Sequence, residues 1–210
     1  MYMKNSFFSI RRLCLMAMMV AMQVLFSRYL GIQVSSTLRV SLETIPIMLS
    51  GLWLGPLAGA LVALVSDVLG TVLSGYGIYF IYFAVGPITV GIVSGFLGKF
   101  LMHDAKPSMP DACELIFALI LTECFTSILY GTLASQWYFT YISQESPSLL
   151  TYFAPFLLPQ SREYTALLVA RIPVKLITIP VDAVLSALIY RFTWNAVTQS
   201  YLQNGGEPNA

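Results

Sequence analysis

The sequence predicts an all-α membrane protein, a bundle of six transmembrane helices with the N- and C-termini cytoplasmic. Three observations carry that expectation. Of 210 residues, 57% are hydrophobic and only 10% charged, against roughly 25% charged in soluble domains. Apolar runs suited to crossing a bilayer recur along the chain, divided by polar or Pro/Gly-rich turns. The basic residues also sort by side. With the N-terminus inside, Lys4, Arg11, Arg12, Lys99, Lys106 and Arg191 fall in the cytoplasm and Arg28, Arg39 and Arg162 outside, in line with the positive-inside rule. The length suits a single transmembrane domain, residues 1–197, followed by a polar tail, 198–210.

The first helix runs from about Ser9 to Leu30. The basic residues before it resemble a secretory signal, but no small-residue cleavage site follows, so it is expected to stay as a membrane helix. It carries Ala17-x-x-x-Ala21, a spacing that lets another helix approach closely, either within the bundle or from a partner. Gly31 to Ser41 is polar and β-branched, a loop or short extended piece, with Arg39 and Glu43 closing it. The second helix, about Leu42 to Leu54, is too short for a hydrocarbon core of about 30 Å and is expected to be half-buried or tilted. Pro46 sits in its first turn, where proline is tolerated.

Gly55-Pro56 turns the chain into a third helix ending near Ser74. The aromatic cluster Ile78 to Phe83 is either an interfacial belt or a stacking wall. The fourth helix continues to about Met102 and contains Gly91-x-x-x-Gly95. His103, the single histidine, opens a polar turn and is not expected to be catalytic. The fifth helix spans about Asp111 to Thr140. Residues Ser143 to Ser161 form a long connection with three prolines and several aromatics, a length that suits a lid. The sixth helix runs from about Arg162 to Val197.

The stretch Gly51 to Ser74 organises the rest. Steps of four back from Asp67 reach Ala63, Gly59 and Gly55, one nearly straight face of small residues leading to a lone acid. A charge at membrane depth costs roughly 2.5–3.5 kcal/mol, so Asp67 needs a partner or a purpose. We read it as the floor of a polar pocket. The sixth helix supplies the opposite charge. At about 100° per residue, Lys175 lies roughly 40° and Asp182 roughly 20° from Arg171, so all three share a face. Either these charges pair internally with Asp67 or Glu43, holding the bundle together, or they receive an anion from outside. For an anion, Arg171 offers a planar fork and Lys175 a point charge, with Arg39 in the outer loop. Asp67 and Glu43 would accept paired N–H donors from a heterocycle, and Tyr79, Phe80, Tyr82 and Phe83 would stack on its rings. A flat, donor-rich ring with an acidic tail satisfies all three groups.

Other function classes are excluded or disfavoured. A net charge of +1 gives no basic field for nucleic acid. Cys14, Cys113 and Cys124 follow no metal spacing and are read as small apolar residues. No catalytic motif, phosphate-binding Gly-x4-Gly-Lys-Ser/Thr loop or cofactor pattern is present, so neither enzyme activity nor a cofactor is expected, and any uphill transport takes its energy from elsewhere.

The order of motifs resembles a known family. RVSLETIPIMLSGLWLGPLAGALVALVSDVLG (Arg39 to Gly70) and GIYFIYFAVGPITVGIVSGFLG (Gly77 to Gly98) are similar to the substrate-binding (S) components of energy-coupling-factor vitamin transporters. The Asp-x-Leu-Gly ending, the following Gly-x-Tyr-Phe and RIPVKLITIPV (Arg171 to Val181) look most like the folate-specific branch. Where family members often carry Pro-Gly-Phe after the Tyr-Phe pair, this chain has Ile81, Tyr82 and Phe83. The resemblance implies a six-helix, folate-capturing subunit of a bacterial cell membrane. Such a subunit works with a transmembrane coupling protein, which the Ala-x-x-x-Ala pattern contacts, and with two ATPase subunits. The alternatives are the same fold with riboflavin, thiamine or pantothenate, or a membrane scaffold without a ligand.

Overall fold

Apolar runs become helices wherever glycine, proline or a polar turn does not interrupt them. The structure, a computed structural model, describes residues 10–29, 32–35, 38–40, 42–74, 79–101, 109–142 and 164–202. Helix α1 is Ile10–Arg28, α2 Thr44–Leu54, α3 Pro56–Ser74 and α4 Tyr82–Leu101. Helix α5 is Met109–Glu123, a π-helical segment covers Cys124–Tyr130, α6 is Gly131–Ile142 and α7 is Tyr164–Leu202. The expected fifth helix is thus an unbroken run in three parts. Its middle is a wider π-turn that an ordinary apolar pattern does not announce.

Two strands, β1 (Ile32–Ser35) and β2 (Leu38–Val40), pair antiparallel with Gln33 opposite Arg39 and a bulge between Gln33 and Ser35. The all-α expectation is amended by this small ribbon, whose β-branched residues favour extension. Four stretches are long and apolar enough to cross a membrane: Pro56–Leu73, Tyr82–Phe100, Ala112–Ile142 and Arg171–Thr193. Helices α1 and α2 contribute shorter apolar segments.

Helix α2 is more deeply placed than its length suggests. It packs against α1, α3, α4 and α7; Ile45 through Leu52 and Leu54 are all buried, and Trp53 is partly buried. Of the two alternatives, half-buried or tilted, the first is therefore corrected: protein surrounds the helix. Gly55 ends it with φ 95°, a conformation glycine adopts without strain, and α3 starts at once.

The third and fourth helices meet backbone to backbone. A β-carbon at Gly91 would stand 2.5 Å from the Gly59 carbonyl oxygen, and one at Gly51 would stand 2.6 Å from the Gly91 carbonyl oxygen. The small-residue face read from Gly55, Gly59 and Ala63 is therefore the seat of α4. Arg12, buried on α1, donates to the Leu54 carbonyl, placing a cation at the C-terminal end of α2 where the helix dipole favours it.

The bundle is stratified along its axis. Met48, Leu49 and Leu52 of α2 form an apolar core with Leu115 and Leu119 of α5 and Ala183, Ala187 and Tyr190 of α7. One or two turns away on the same helices, the side chains turn polar.

Candidate functional site

That polar half encloses a cavity of about 180 Å³. Helix α1 presents Gln23 and Ser27 to it from the face that also buries Arg12 and Met19. The start of α2 contributes Glu43 and Thr44, and α3 contributes Ser66 and Asp67. Phe83 and Pro87 come from α4, Thr126, Ser127 and Tyr130 from the π-segment, and Arg171 and Lys175 from α7.

The structure thus brings together four residues that the sequence singles out, Glu43, Asp67, Arg171 and Lys175, around one space. Arg39 lies on β2, which packs against α7; its side chain lies outside the described residues. Tyr79 and Tyr82 do not line the cavity. The aromatic cluster joins α4 to α6 instead: the Tyr82 and Trp137 ring centroids are 5.2 Å apart, Phe80 and Tyr138 5.6 Å, and Phe83 and Tyr138 5.4 Å. Tyr82 touches the site through its carbonyl, which accepts the Tyr130 hydroxyl at 3.0 Å. Phe83 is the member of the cluster that faces the cavity. The proposed lid at 143–161 and His103 lie outside the described residues.

The two cations of α7 have different surroundings. Arg171 Nη2 donates to the Ser135 hydroxyl at 2.5 Å and Nη1 to the Ser127 carbonyl at 3.4 Å. It has no acidic partner among the described residues. Lys175, one turn on, stands within electrostatic reach of Glu123 and Asp182. Those two acids are 0% and 1% exposed and do not line the cavity. Glu123 Oε1 accepts the Thr44 hydroxyl at 3.3 Å. Internal charge neutralisation therefore has its place around Lys175, and Arg171 stands apart from it.

Sequence reasoning misses Glu123, although a lone acid in an apolar run is the same signal that marks Asp67. It also misses Gln23, Ser27, Thr126 and Ser127. For Thr126 no signal was available: its hydroxyl bonds the Thr122 carbonyl at 3.0 Å, as threonine does in any membrane helix.

On α1, Ala17 and Ala21 are exposed, in a row with Leu13 and Leu25. They do not pack into the bundle among the described residues. Cys14, Cys113 and Cys124 are also exposed.

A family model described as ECF-type riboflavin transporter, S component, matches residues 7–172. The folate transporter FolT of Clostridium novyi is 34% identical over 80 residues, 38% of this chain and 46% of that protein. The chain thus spans about half the length of the curated relative it matches. A crystal structure of FolT bound with folic acid is similar in fold, with a TM-score of 0.57 and 19% identity, over 90% of this chain and 94% of that one.

Proposed function

The chain belongs to the ECF-type S-component family, and we propose that it captures folate at the outer face of a bacterial membrane for import. The observation that carries this reading is the cationic Arg171 in a cavity wall, held by neutral acceptors and left with donors to spare. A guanidinium so placed suits a carboxylate. Glu43 and Asp67 across the cavity suit the N–H donors of a flat heterocycle, and Phe83 suits its face. Folate has both parts, a pterin ring and a glutamate tail. Riboflavin, named by the family model, has the ring but no carboxylate to engage Arg171.

In this reading the activity is binding and not catalysis, with Arg171, Lys175, Asp67 and Glu43 in contact with ligand and Arg39 on the ribbon outside the bundle as a further cation for it. Among the described residues, taking α5, the π-segment and α6 as one rod gives six rods, which supports six spans and, with the bias of basic residues, both ends cytoplasmic. A transmembrane coupling protein and two ATPase subunits supply the energy, since the chain has no nucleotide-binding loop of its own.

The test is calorimetric titration of the detergent-purified chain with folic acid, without ATP or partners. Tight one-to-one binding is expected. Binding of riboflavin with silence from folic acid would transfer the site to the other vitamin. Silence from every vitamin would leave a scaffold.

A further inference from the structure

We infer that Ser127, Gly131 and Ser135 form a preset cradle that fixes the Arg171 guanidinium for a ligand carboxylate, making Gly131 and Ser135 specificity-determining positioning residues. The identity of the carboxylate rests on the folate reading; the cradle itself rests on geometry. The three residues follow one another at intervals of four, from the π-segment into α6, and so line one face. Each meets the same side chain on α7. The Ser127 carbonyl accepts Nη1 and the Ser135 hydroxyl oxygen accepts Nη2.

Ser135 can play that part because its own proton is committed. The hydroxyl donates to the Gly131 carbonyl at 2.9 Å, which turns its lone pairs toward Arg171. A guanidinium has five N–H donors in a rigid plane. Two are engaged by neutral acceptors, so the charge is undiminished and the remaining donors are aimed in advance. Fixing a long side chain before binding removes an ordering cost that the ligand would otherwise meet.

Gly131 is the third wall. A β-carbon there would stand 2.8 Å from Arg171 Nη1 and 3.4 Å from the Thr126 carbonyl oxygen. The first of these is the far end of a flexible side chain, so Gly131→Ala moves the guanidinium and spares the helix. Alanine is also the better helix former, which keeps the variant folded.

The experiment compares folic acid with its dimethyl ester, which keeps the ring and loses the carboxylate charges, on the detergent-purified chain. Gly131→Ala and Ser135→Ala are expected to weaken folic acid by about tenfold, the worth of a hydrogen bond to a charged group. The ester should be unaffected, and Ser135→Thr, which keeps the hydroxyl, should bind folic acid as the unsubstituted chain does. Equal losses for both ligands, or an equal loss in Ser135→Thr, overturn the inference. A second arm needs no ligand: the side-chain N–H signals of Arg171 in isotope-labelled protein, assigned by their absence in Arg171→Lys. They should resist hydrogen exchange in the unsubstituted chain and in Ser135→Thr and exchange freely in Ser135→Ala. Identical exchange in all three overturns the cradle whether or not folic acid binds. Protected signals in a chain that binds neither ligand would sustain the cradle and remove the folate reading.

Discussion

Two cations one helical turn apart on α7 have different consequences because their neighbours differ. Lys175 shares its surroundings with Glu123 and Asp182, whereas Arg171 leans on a carbonyl and a hydroxyl. Removing Lys175 leaves two buried acids short of a counter-charge. Lys175→Met should therefore destabilise the ligand-free protein by on the order of 3 kcal/mol, read as a lower thermal unfolding midpoint in detergent. Removing Arg171 takes from the cavity wall a cation with no acidic partner among the described residues. Arg171→Ala should weaken folate by at least about tenfold, since losing a buried charge partner typically costs 2–5 kcal/mol, with much less effect on the ligand-free midpoint. Unchanged affinity would take Arg171 out of the site. These positions were legible because an ionisable group stands out in an apolar run. Tyr79 and Tyr82 were harder: an aromatic run shows that rings are present but not whether they face a ligand or, as for Tyr82 and Trp137, another helix.

Among helices, glycine spacing states that something comes close and leaves the partner unnamed. Gly91-x-x-x-Gly95 is plain in the sequence, but the α2–α3 corner that it meets becomes visible only in the fold. A β-carbon at Gly95 would stand 2.6 Å from the Gly55 carbonyl carbon, so backbone, not a movable side chain, fills the space. Gly91→Ala should accordingly cost about 1–3 kcal/mol or more through overpacking, seen as a lower unfolding midpoint. Gly86→Ala is the contrast within the same helix. Its β-carbon would have nothing nearer than 3.8 Å, and the midpoint should hold. The π-segment was not legible at all, because CFTSILY has the composition of any membrane helix. Yet it carries three cavity-lining residues, Thr126, Ser127 and Tyr130, as such segments often do at functional sites.

On the proposed reading, capture and energisation face in different directions across the molecule. Gln23 and Ser27 on the inner side of α1 line the cavity, while Leu13, Ala17, Ala21 and Leu25 form an exposed row on its outer side. In a bilayer that row meets either lipid tails or another helix. Lipid makes no demand for small residues, whereas a helix that approaches closely does, so the alanines favour the coupling protein as occupant. The pair Ala17→Trp and Ala21→Trp tests the assignment, because large rings on an outward face leave the cavity lining in place. The doubly substituted chain should bind folate in detergent with unchanged affinity, yet fail to support folate uptake in cells that supply the coupling protein and ATPases. It should also fail to co-purify with them. Uptake at the unsubstituted level would return this face to the lipid, and loss of folate binding in detergent would show that α1 transmits the change inward to Gln23 and Ser27.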